Sequence, residues 1–351
     1  MTTGERSTIL ISGGAGYIGS HVALALEQAG FSAVVLDSLV KGNRWATEHA
    51  TAFRQGDIGD AAFVAAVCDE FQPVAALHFA AFIEVGESVQ NPAMYFENNR
   101  DKAAVFFQTI AAKGVHNVVF SSTAAVYGEP DVVPIPETAP WQPINPYGQS
   151  KLDAEIALRA VAGVRSVTLR YFNVAGAAPE AGIGEAHVPE SHLLPRLVLP
   201  LIGTPESLLD RLGLNSGFKV YGNDYPTPDG TAIRDYIHVL DLADAHVLAL
   251  RYLLDGGETN IFNLGSGSGY SVQEIVTAAR KVLERPDYEP GTAPRRAGDP
   301  AALIADSSKA LSVLGWKPRR GIEAMIASAT AWHRGERYLE TIKAKLGDVK
   351  V

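Results

Sequence analysis

The sequence is poor in cysteine: Cys68 is the only one among 351 residues. A chain with one cysteine cannot form an internal disulfide, and it cannot build a metal site from several thiolates. Cys68 lies in an alanine- and valine-rich segment with helical periodicity, where a cysteine usually serves as a small apolar core residue. The chemistry of this chain must therefore come from other side chains.

Long hydrophobic runs are also missing. The most apolar later segment, 193–203, is interrupted by Pro195, Arg196 and Pro200, so no segment has the roughly 20 apolar residues that a membrane-spanning helix needs. The first residues lack the pattern of a secretory signal, and no repeat or low-complexity tract is present. We therefore expect a globular protein of the cytoplasm.

Positive charge is scarce relative to negative charge. With 30 Lys and Arg against 39 Asp and Glu, the formal net charge is -9, which argues against nucleic acid or an acidic membrane as a partner. An anionic ligand would need basic residues gathered locally. The histidines other than His192 show no ligand spacing such as His-Glu-x-x-His, so we predict no catalytic metal.

Glycine, in contrast, is concentrated near the start of the chain. An apolar run leads into a turn that contains Gly13, Gly16 and Gly19; a helix-period segment follows, and a second apolar run ends at Asp37. This order is typical of a dinucleotide site, because glycine lets the backbone approach a pyrophosphate and the helix N-terminus offers free N–H groups. Without this context, a bare glycine pattern would be weak.

The acid at the end of the second run bears on which dinucleotide binds. Asp37 can accept hydrogen bonds from the adenosine ribose hydroxyls and would repel a 2′-phosphate, so the sequence favours NAD over NADP. Lys41 and Arg44 lie close enough in sequence to weaken that inference.

Strands and helices then alternate along the chain. Predicted strands lie at 51–54, 74–79, 118–120 and 167–170, and predicted helices at 60–71, 93–114, 147–160, 241–254 and 271–283. The alternation predicts a Rossmann-type doubly wound parallel sheet with helices on both faces. Because ligands bind beyond the carboxyl ends of such strands, Thr123, Phe172 and Asn173 should converge with the glycine turn on one crevice.

The composition changes after Asn173. Residues 176–230 are richer in glycine, proline and charged side chains. We therefore expect a Rossmann domain at 1–173 and a smaller α/β substrate-binding lobe at 174–351, with segments near 233–265 crossing back onto the first domain.

Tyr147 and Lys151 are four residues apart on one predicted helix, so both project from the same face. A nearby ammonium stabilises a phenolate and lowers the tyrosine pKa, which suits a proton acceptor near neutral pH. Thr123, at a strand end, supplies a hydroxyl that can bridge the tyrosine and a substrate. Alone, such a pair is usually an ordinary helix face; together with the glycine turn upstream, it predicts catalysis.

Several motifs together resemble a known family. The glycine turn, with segments 122–123 and 147–151, is similar to the extended short-chain dehydrogenase/reductase superfamily. Further stretches narrow the resemblance to the UDP-glucose 4-epimerase family, at 85–89, 169–173, 221–227, 233–239 and 294–299. The matches cover nearly the whole chain, and the later ones belong to the nucleotide-sugar pocket.

The resemblance implies an NAD-dependent isomerase that interconverts UDP-glucose and UDP-galactose. Thr123, Tyr147 and Lys151 would form the catalytic group. Tyr147, as phenolate, would take the proton from the sugar 4-hydroxyl while hydride leaves C4 for NAD; the 4-keto sugar would then turn over and take the hydride back on its other face. The resemblance also implies a homodimer, formed through the helices at 93–114 and 147–160.

The same resemblance implies residue roles. Those expected to hold NAD are Gly13, Gly16, Tyr17, Ile18, Gly19, Asp37, Asp57, Ile58, Phe79, Ala80, Ala81, Asn98, Tyr147, Lys151 and Phe172. Those expected to hold the UDP-sugar are Thr123, Tyr147, Asn173, His192, Leu193, Lys219, Tyr221, Arg234, Arg296, Asp299 and Leu303. Guanidinium groups suit a diphosphate because they bind it bidentately. Two plainer interpretations stay open: Asp57 can cap the following helix, and Arg234 can pair with Asp235.

Three positions depart from the family pattern. Ile83 stands where many members have a lysine near the cofactor phosphates, and His192 where an asparagine often contacts the substrate. Leu303 stands where some members carry a tyrosine, and the smaller residue leaves room beside the sugar for UDP-N-acetylglucosamine. The segment 208–217 yields no prediction.

Other functions stay open at this point. A 4,6-dehydratase is disfavoured, because it needs an acid and a base after the threonine, where this chain has Ala124 and Ala125. A UDP-sugar decarboxylase or a UDP-pentose 4-epimerase uses much the same residues. A non-catalytic NAD-sensing module would not need Thr123, Tyr147 and Lys151 together.

Overall fold

The computed structural model describes residues 6–214, 217–296 and 299–347. Its strands are β1 (Thr8–Ser12), β2 (Ser32–Asp37), β3 (Ala52–Gln55), β4 (Ala75–His78), β5 (Asn117–Thr123), β6 (Arg165–Tyr171), β7 (Asn173–Ala175), β8 (Lys219–Tyr221), β9 (Ile233–Arg234), β10 (Tyr236–His238), β11 (Asn260–Leu264), β12 (Tyr270–Ser271), β13 (Gly291–Ala293) and β14 (Ala302–Leu303). Its helices are α1 (Tyr17–Gln28), α2 (Ala61–Phe71), α3 (Val85–Gln90), α4 (Pro92–Tyr95), α5 (Ala103–Ala112), α6 (Pro146–Arg159), α7 (Leu193–Leu201), α8 (Glu206–Arg211), α9 (Val239–Leu254), α10 (Val272–Val282), α11 (Ser308–Leu314), α12 (Ile322–His333) and α13 (Glu336–Leu346). Within these ranges, no helix combines the length and the apolarity that a membrane span requires.

Seven parallel strands form the main sheet, in the order β11-β6-β5-β4-β1-β2-β3. Strands covered on both faces are apolar along their whole length. In β1, Ile9 and Ile11 pack under α1 and α9 on one face, whereas Leu10 packs under α2 and α5 on the other, and all three side chains are fully buried. The predicted doubly wound parallel sheet is confirmed.

The turn between β1 and α1 needs glycine for space. A Cβ at Gly13, where φ is +75°, would lie 2.4 Å from the Ala80 backbone nitrogen, and a Cβ at Gly19 would lie 2.4 Å from the Gly13 carbonyl oxygen. Real Cβ atoms do not approach so closely, so the chain after β4 and helix α1 both pack directly on this backbone.

Helix α2 begins at a capping acid. The Asp60 carboxylate accepts a hydrogen bond from the Phe63 nitrogen at 3.0 Å, which satisfies a free N–H group of the first turn. Asp57 instead accepts from Lys102 Nζ at 2.6 Å. The interpretation of Asp57 as the cap of this helix is therefore wrong.

The helix predicted at 93–114 is observed as three successive pieces. A π-helical segment, Phe96–Lys102, joins α4 to α5. It carries Asn99, whose amide accepts from the Phe82 nitrogen at 2.8 Å and donates to the Phe82 carbonyl oxygen at 2.9 Å. Such π-turns are common near functional sites, and here the turn fastens the loop after β4.

Among the described residues, three short sheets lie outside the main sheet. They pair β7 with β10, β8 with β13, and β9 with both β12 and β14. Helices α7, α10 and α12 share an apolar cluster that includes Leu197, Val276 and Ile326. Residues 239–264 join the main sheet instead, since β11 pairs with β6 and α9 packs on α1. The domain boundary after residue 173 stays a prediction.

Candidate active site

A cavity of about 1840 Å³ opens at the carboxyl ends of the main strands. Every residue predicted to hold the cofactor lines it. So do most residues predicted to hold the substrate, namely Thr123, Tyr147, Asn173, His192, Leu193, Arg234, Arg296, Asp299 and Leu303. Sites for one small ligand occupy roughly 300–1,000 Å³, so this cavity can hold two nucleotide-sized molecules. The individual roles of these residues stay predictions.

One end of the cavity is formed by backbone. Gly16 is the N-cap residue of α1, and none of the described side chains caps the helix, so its first N–H groups and positive dipole end suit a pyrophosphate. Asp37 supports the turn, because its carboxylate accepts hydrogen bonds from the Ala15 and Leu39 nitrogens at 3.0 and 2.8 Å. Burial raises the pKa of Asp37. The geometry fits a dinucleotide.

The start of α6 brings Thr123 and Tyr147 together. Asn145 caps the helix by accepting from the Gly148 nitrogen at 2.8 Å. A Cβ at Gly148 would lie 2.6 Å from the Ala125 carbonyl oxygen, so the first turn of α6 packs directly on the segment after β5. As a result, Thr123 and Tyr147 line the same part of the cavity, close enough for the Thr123 hydroxyl to act on the pKa of the Tyr147 phenol.

Desolvation favours the neutral forms of both Tyr147 and Lys151, so it shifts their pKa values in opposite directions. Burial raises the pKa of Tyr147, and the nearby Thr123 hydroxyl offsets only part of this rise. Burial lowers the pKa of Lys151 to about 7, against the opposing effect of the Glu155 charge. The expectation that Lys151 lowers the tyrosine pKa is therefore wrong here, because burial raises that pKa and the Thr123 hydroxyl, not Lys151, offsets part of the rise.

A buried ion pair lies one turn further along α6. Glu155 accepts hydrogen bonds from Arg170 of β6 at 2.9 and 2.6 Å, and from the Ser122 hydroxyl at 2.5 Å. Both charged side chains are fully buried, so the pair ties α6 to β5 and β6. Lys151 Nζ lies 4.4 Å from the centre of the Phe120 ring. The sequence analysis missed Glu155, although its spacing of four from Lys151 places both on one helix face.

Arg234 lies toward the opposite end of the cavity. It pairs with Asp299. The Asp235 carboxylate is engaged elsewhere, since it accepts from the Ser266 nitrogen at 2.6 Å and from the Ala305 nitrogen at 3.0 Å. The interpretation of Arg234 and Asp235 as a solvated ion pair is therefore wrong.

Two residues predicted to hold the substrate do not line the cavity. Tyr221 supports Arg296, whose guanidinium carbon lies 4.1 Å from the centre of the tyrosine ring. Lys219 lies on the same strand, β8, opposite Gly291 of β13. Sequence alone could not show this, because the positions depend on how two short, distant strands pair.

His192 and Leu193 lie at the start of α7 and line the cavity. Nδ1 of His192 hydrogen-bonds the Glu185 carboxylate, so this nitrogen is already engaged. Burial alone would lower the pKa of His192, but the Glu185 charge raises it to about 10. Leu303 and Ile83 also line the cavity, and Ile83 is 40% exposed.

The fold and the cavity define a Rossmann-type, dinucleotide-dependent enzyme. The chain belongs to the NAD dependent epimerase/dehydratase family, whose model matches residues 9–265. A second model, described as GDP-mannose 4,6 dehydratase, matches residues 211–329, a range that excludes the glycine turn and the Tyr147–Lys151 pair.

Proteins of known name are similar to this chain over nearly its whole length. The UDP-glucose 4-epimerase of Lacticaseibacillus casei is 47% identical over 93% of this chain and 96% of its own. The crystal structure of UDP-glucose 4-epimerase from Brucella ovis in complex with NAD is 42% identical, with a TM-score of 0.85 over 92% of this chain and 97% of its own. That from Bifidobacterium longum in complex with NAD+ and UDP is 36% identical, with a TM-score of 0.83 over 93% and 98%. The resemblance inferred from the motifs is confirmed.

Replacing Lys151 by methionine should stabilise the fold near neutral pH. The pKa of Lys151 is about 7 in the folded protein and about 10.4 for an unfolded lysine, so the unfolded state binds more protons between these values and wild-type stability rises with pH there. By urea unfolding, Lys151→Met should exceed wild type by about 4–5 kcal/mol at pH 6 and by about 2 kcal/mol at pH 9.

Lys281, with a side chain 71% exposed, supplies the matched control. Lys281→Met should change the free energy of unfolding by less than about 1 kcal/mol at either pH. An advantage of Lys151→Met that is missing at pH 6, or larger at pH 9, would contradict the account of Lys151.

Proposed function

We propose that this protein interconverts UDP-glucose and UDP-galactose by inverting C4 of the sugar, with NAD as its cofactor. The observation that carries the proposal is one continuous cavity. Thr123, Tyr147 and Lys151 line the same space as the glycine turn and as Arg234 and Arg296. The similarity to proteins named UDP-glucose 4-epimerase, including structures with NAD and with UDP, supports it.

The chain supplies the acid–base chemistry. Tyr147 takes the proton of the sugar 4-hydroxyl during oxidation and returns it during reduction, and the neighbouring Thr123 hydroxyl acts to lower the pKa of the phenol. When bound, NAD supplies a reversible hydride acceptor and a positive ring charge that favours the Tyr147 phenolate. Lys151 orients the nicotinamide ribose from the same face of α6. Because oxidation and reduction occur at one carbon, the sugar keeps its oxidation state and changes only its configuration.

The keto sugar must turn over while UDP stays fixed. Arg234 and Arg296 provide guanidinium groups for the diphosphate. Leu193 and Leu303 offer only an apolar wall, which cannot hold the sugar in one orientation through hydrogen bonds. A sugar anchored mainly through its diphosphate can therefore rotate between the two steps.

The same site accommodates related reactions. A UDP-pentose 4-epimerase would use the same groups, and UDP-N-acetylglucosamine is a further candidate because of the space at Leu303. A 4,6-dehydratase is disfavoured, since Ala124 and Ala125 follow Thr123 in a 3-10 turn and neither can move a proton. A non-catalytic NAD sensor is the remote alternative.

Tyr147→Phe should lower the rate of conversion by about 10²–10⁴-fold while leaving NAD bound, because the phenol supplies the proton step and only one of many cofactor contacts.

UDP-galactose, UDP-N-acetylgalactosamine and UDP-arabinose would be incubated with purified protein without added NAD, with products read by NMR. The nucleotide released on denaturation would be identified. Tyr288→Phe, in the smaller lobe, controls for the loss of a phenol. Equal rates for Tyr147→Phe and wild type would contradict the role, and a wild type that converts none of the sugars would favour the sensor.

Leu303→Tyr should narrow the sugar end of the cavity. We expect conversion of UDP-galactose to persist and conversion of UDP-N-acetylgalactosamine to fall by about 10–200-fold, the range typical of steric discrimination. Leu303→Met, which nearly conserves volume, should leave the ratio of the two rates unchanged. If wild type does not convert the acetylated sugar at all, the proposal that Leu303 leaves room for it is contradicted.

We also propose that the protein is a cytoplasmic homodimer. A chain with a single, buried cysteine has no disulfide that requires an oxidising compartment. Of the two helices expected at the interface, α6 exposes Ile156, which is 52% exposed. The short helix α3, which packs on α6 and precedes the other expected helix, exposes Val89, which is 62% exposed.

Ile156→Asp should convert the dimer to a monomer in light-scattering measurements, because it places a charge in the apolar contact. Leu311→Asp is the matched control, since Leu311 is also 52% exposed but lies on α11. A monomeric wild type, or dissociation by both substitutions alike, would count against this interface.

A further inference from the structure

Four side chains that commonly bind metals lie together between β7 and α7. They are Glu185, His187, Glu190 and His192, and one ligand atom of each lies within 4.8 Å of all the others. His187 Nδ1 is 3.0 Å from Glu185 Oε1, and His192 Nδ1 contacts the same oxygen. Glu190 Oε1 is 4.0 Å from His192 Nδ1. The proposed reaction uses neither carboxylate.

The two carboxylates of this cluster are buried. The side chains of Glu185 and Glu190 are 5% and 1% exposed, and within the described ranges no hydrogen-bond partner reaches Glu190 Oε2. Two basic residues approach, but Lys345 donates to the Ala186 carbonyl oxygen at 2.9 Å and Arg196 to the Glu190 carbonyl oxygen at 3.0 Å. A buried carboxylate oxygen without a partner is costly, and a bound cation would satisfy it.

We propose that Glu185, His187, Glu190 and His192 together bind one Zn²⁺ ion. Two imidazole nitrogens and two carboxylate oxygens complete a tetrahedral shell. Zinc bonds of about 2.0–2.2 Å place neighbouring ligand atoms roughly 3.3–3.6 Å apart, so the observed separations require only small side-chain rotations. Imidazole ligands suit Zn²⁺ better than Mg²⁺ or Ca²⁺, which prefer oxygen ligands.

The ion has a structural role. Four protein ligands close the shell, whereas a catalytic zinc keeps a position for water or substrate. Trp332 of α12 donates to the Glu185 carbonyl oxygen at 2.6 Å, so this hydrogen bond already ties the segment to α12. The ion would fix the rest of the segment, including His192 and Leu193 on the cavity wall. The site goes beyond the proposed function, which needs no metal, and the prediction of no catalytic metal is unaffected.

Metal content tests the proposal directly. Protein prepared without a histidine tag and without chelator should contain close to one zinc per chain by plasma mass spectrometry. After removal of metal with a chelator, added Zn²⁺ should raise the thermal midpoint by several degrees, because an ion that binds only the folded state stabilises it. Mg²⁺ at the same concentration should not.

Substitutions identify the ligands. His187→Ala and Glu190→Gln should each weaken zinc binding by at least about tenfold, measured by competition with a chromophoric chelator. His116→Ala, at an exposed position outside the cluster, is the matched control and should bind zinc like wild type. Circular dichroism checks that each variant is folded. If either His187→Ala or Glu190→Gln is unfolded, the zinc affinity of the folded one of the two tests the proposal.

Two results would overturn the proposal. One is wild-type protein without stoichiometric zinc and without a thermal shift on adding zinc. The other is equal zinc affinity in wild type and the folded variants, which would indicate an adventitious ion only. Zinc content, thermal shift and zinc affinity do not depend on conversion of a sugar. Failure of the zinc proposal is therefore distinguishable from failure of the proposed function.

Discussion

The packing of α6 against β5 is the contact on which the active site depends. Gly148 lets the first turn of α6 approach the Ala125 carbonyl oxygen, and the Glu155–Arg170 pair anchors the same helix one turn past Lys151. Burying two charges is costly in itself, but removing one partner of such a pair typically costs roughly 3–5 kcal/mol. Helix α6 is therefore held in one position. As a result, Tyr147 and Lys151 face the same cavity as the glycine turn, although the turn lies more than a hundred residues earlier in the sequence.

That arrangement has an electrostatic consequence. Lys151 is buried and Tyr147 is half-buried on the cavity wall, and desolvation shifts the pKa of each toward the neutral form. In a low-dielectric site, a charge that arrives with a ligand acts on the phenol more strongly than it would in water. A positively charged ligand in the proposed reaction would therefore favour deprotonation of Tyr147, whereas the buried Lys151 lowers the stability of the fold.

Features set by local sequence were predictable, whereas those set by distant contacts were not. The glycine turn, the parallel sheet and the Tyr147–Lys151 spacing follow from short patterns whose physical meaning does not depend on the rest of the chain. The Arg170 partner of Glu155 lies on another element, and the support of Arg296 by Tyr221 depends on the pairing of two short strands. The π-helical segment after α4 was not predicted, because its seven residues are too few to establish a hydrophobic period of their own.

In the smaller lobe, too, contacts between residues distant in sequence could not be predicted. The Glu185–His192 segment has no familiar ligand spacing, and its four side chains converge only because the chain folds back before α7. Arg234 likewise looks paired with its neighbour in sequence but contacts Asp299 across the lobe. In both cases the sequence supplies the right side-chain chemistry, and the tertiary fold decides which groups meet.

The central claim is that one carbon of the sugar is oxidised and then reduced inside this cavity. The most direct measurement is to supply UDP-galactose carrying deuterium on C4 and to locate the deuterium in the product by NMR. The account predicts UDP-glucose that retains the deuterium at C4, because the hydrogen removed from that carbon is returned to it. Product in which the C4 deuterium has exchanged with solvent would contradict the account.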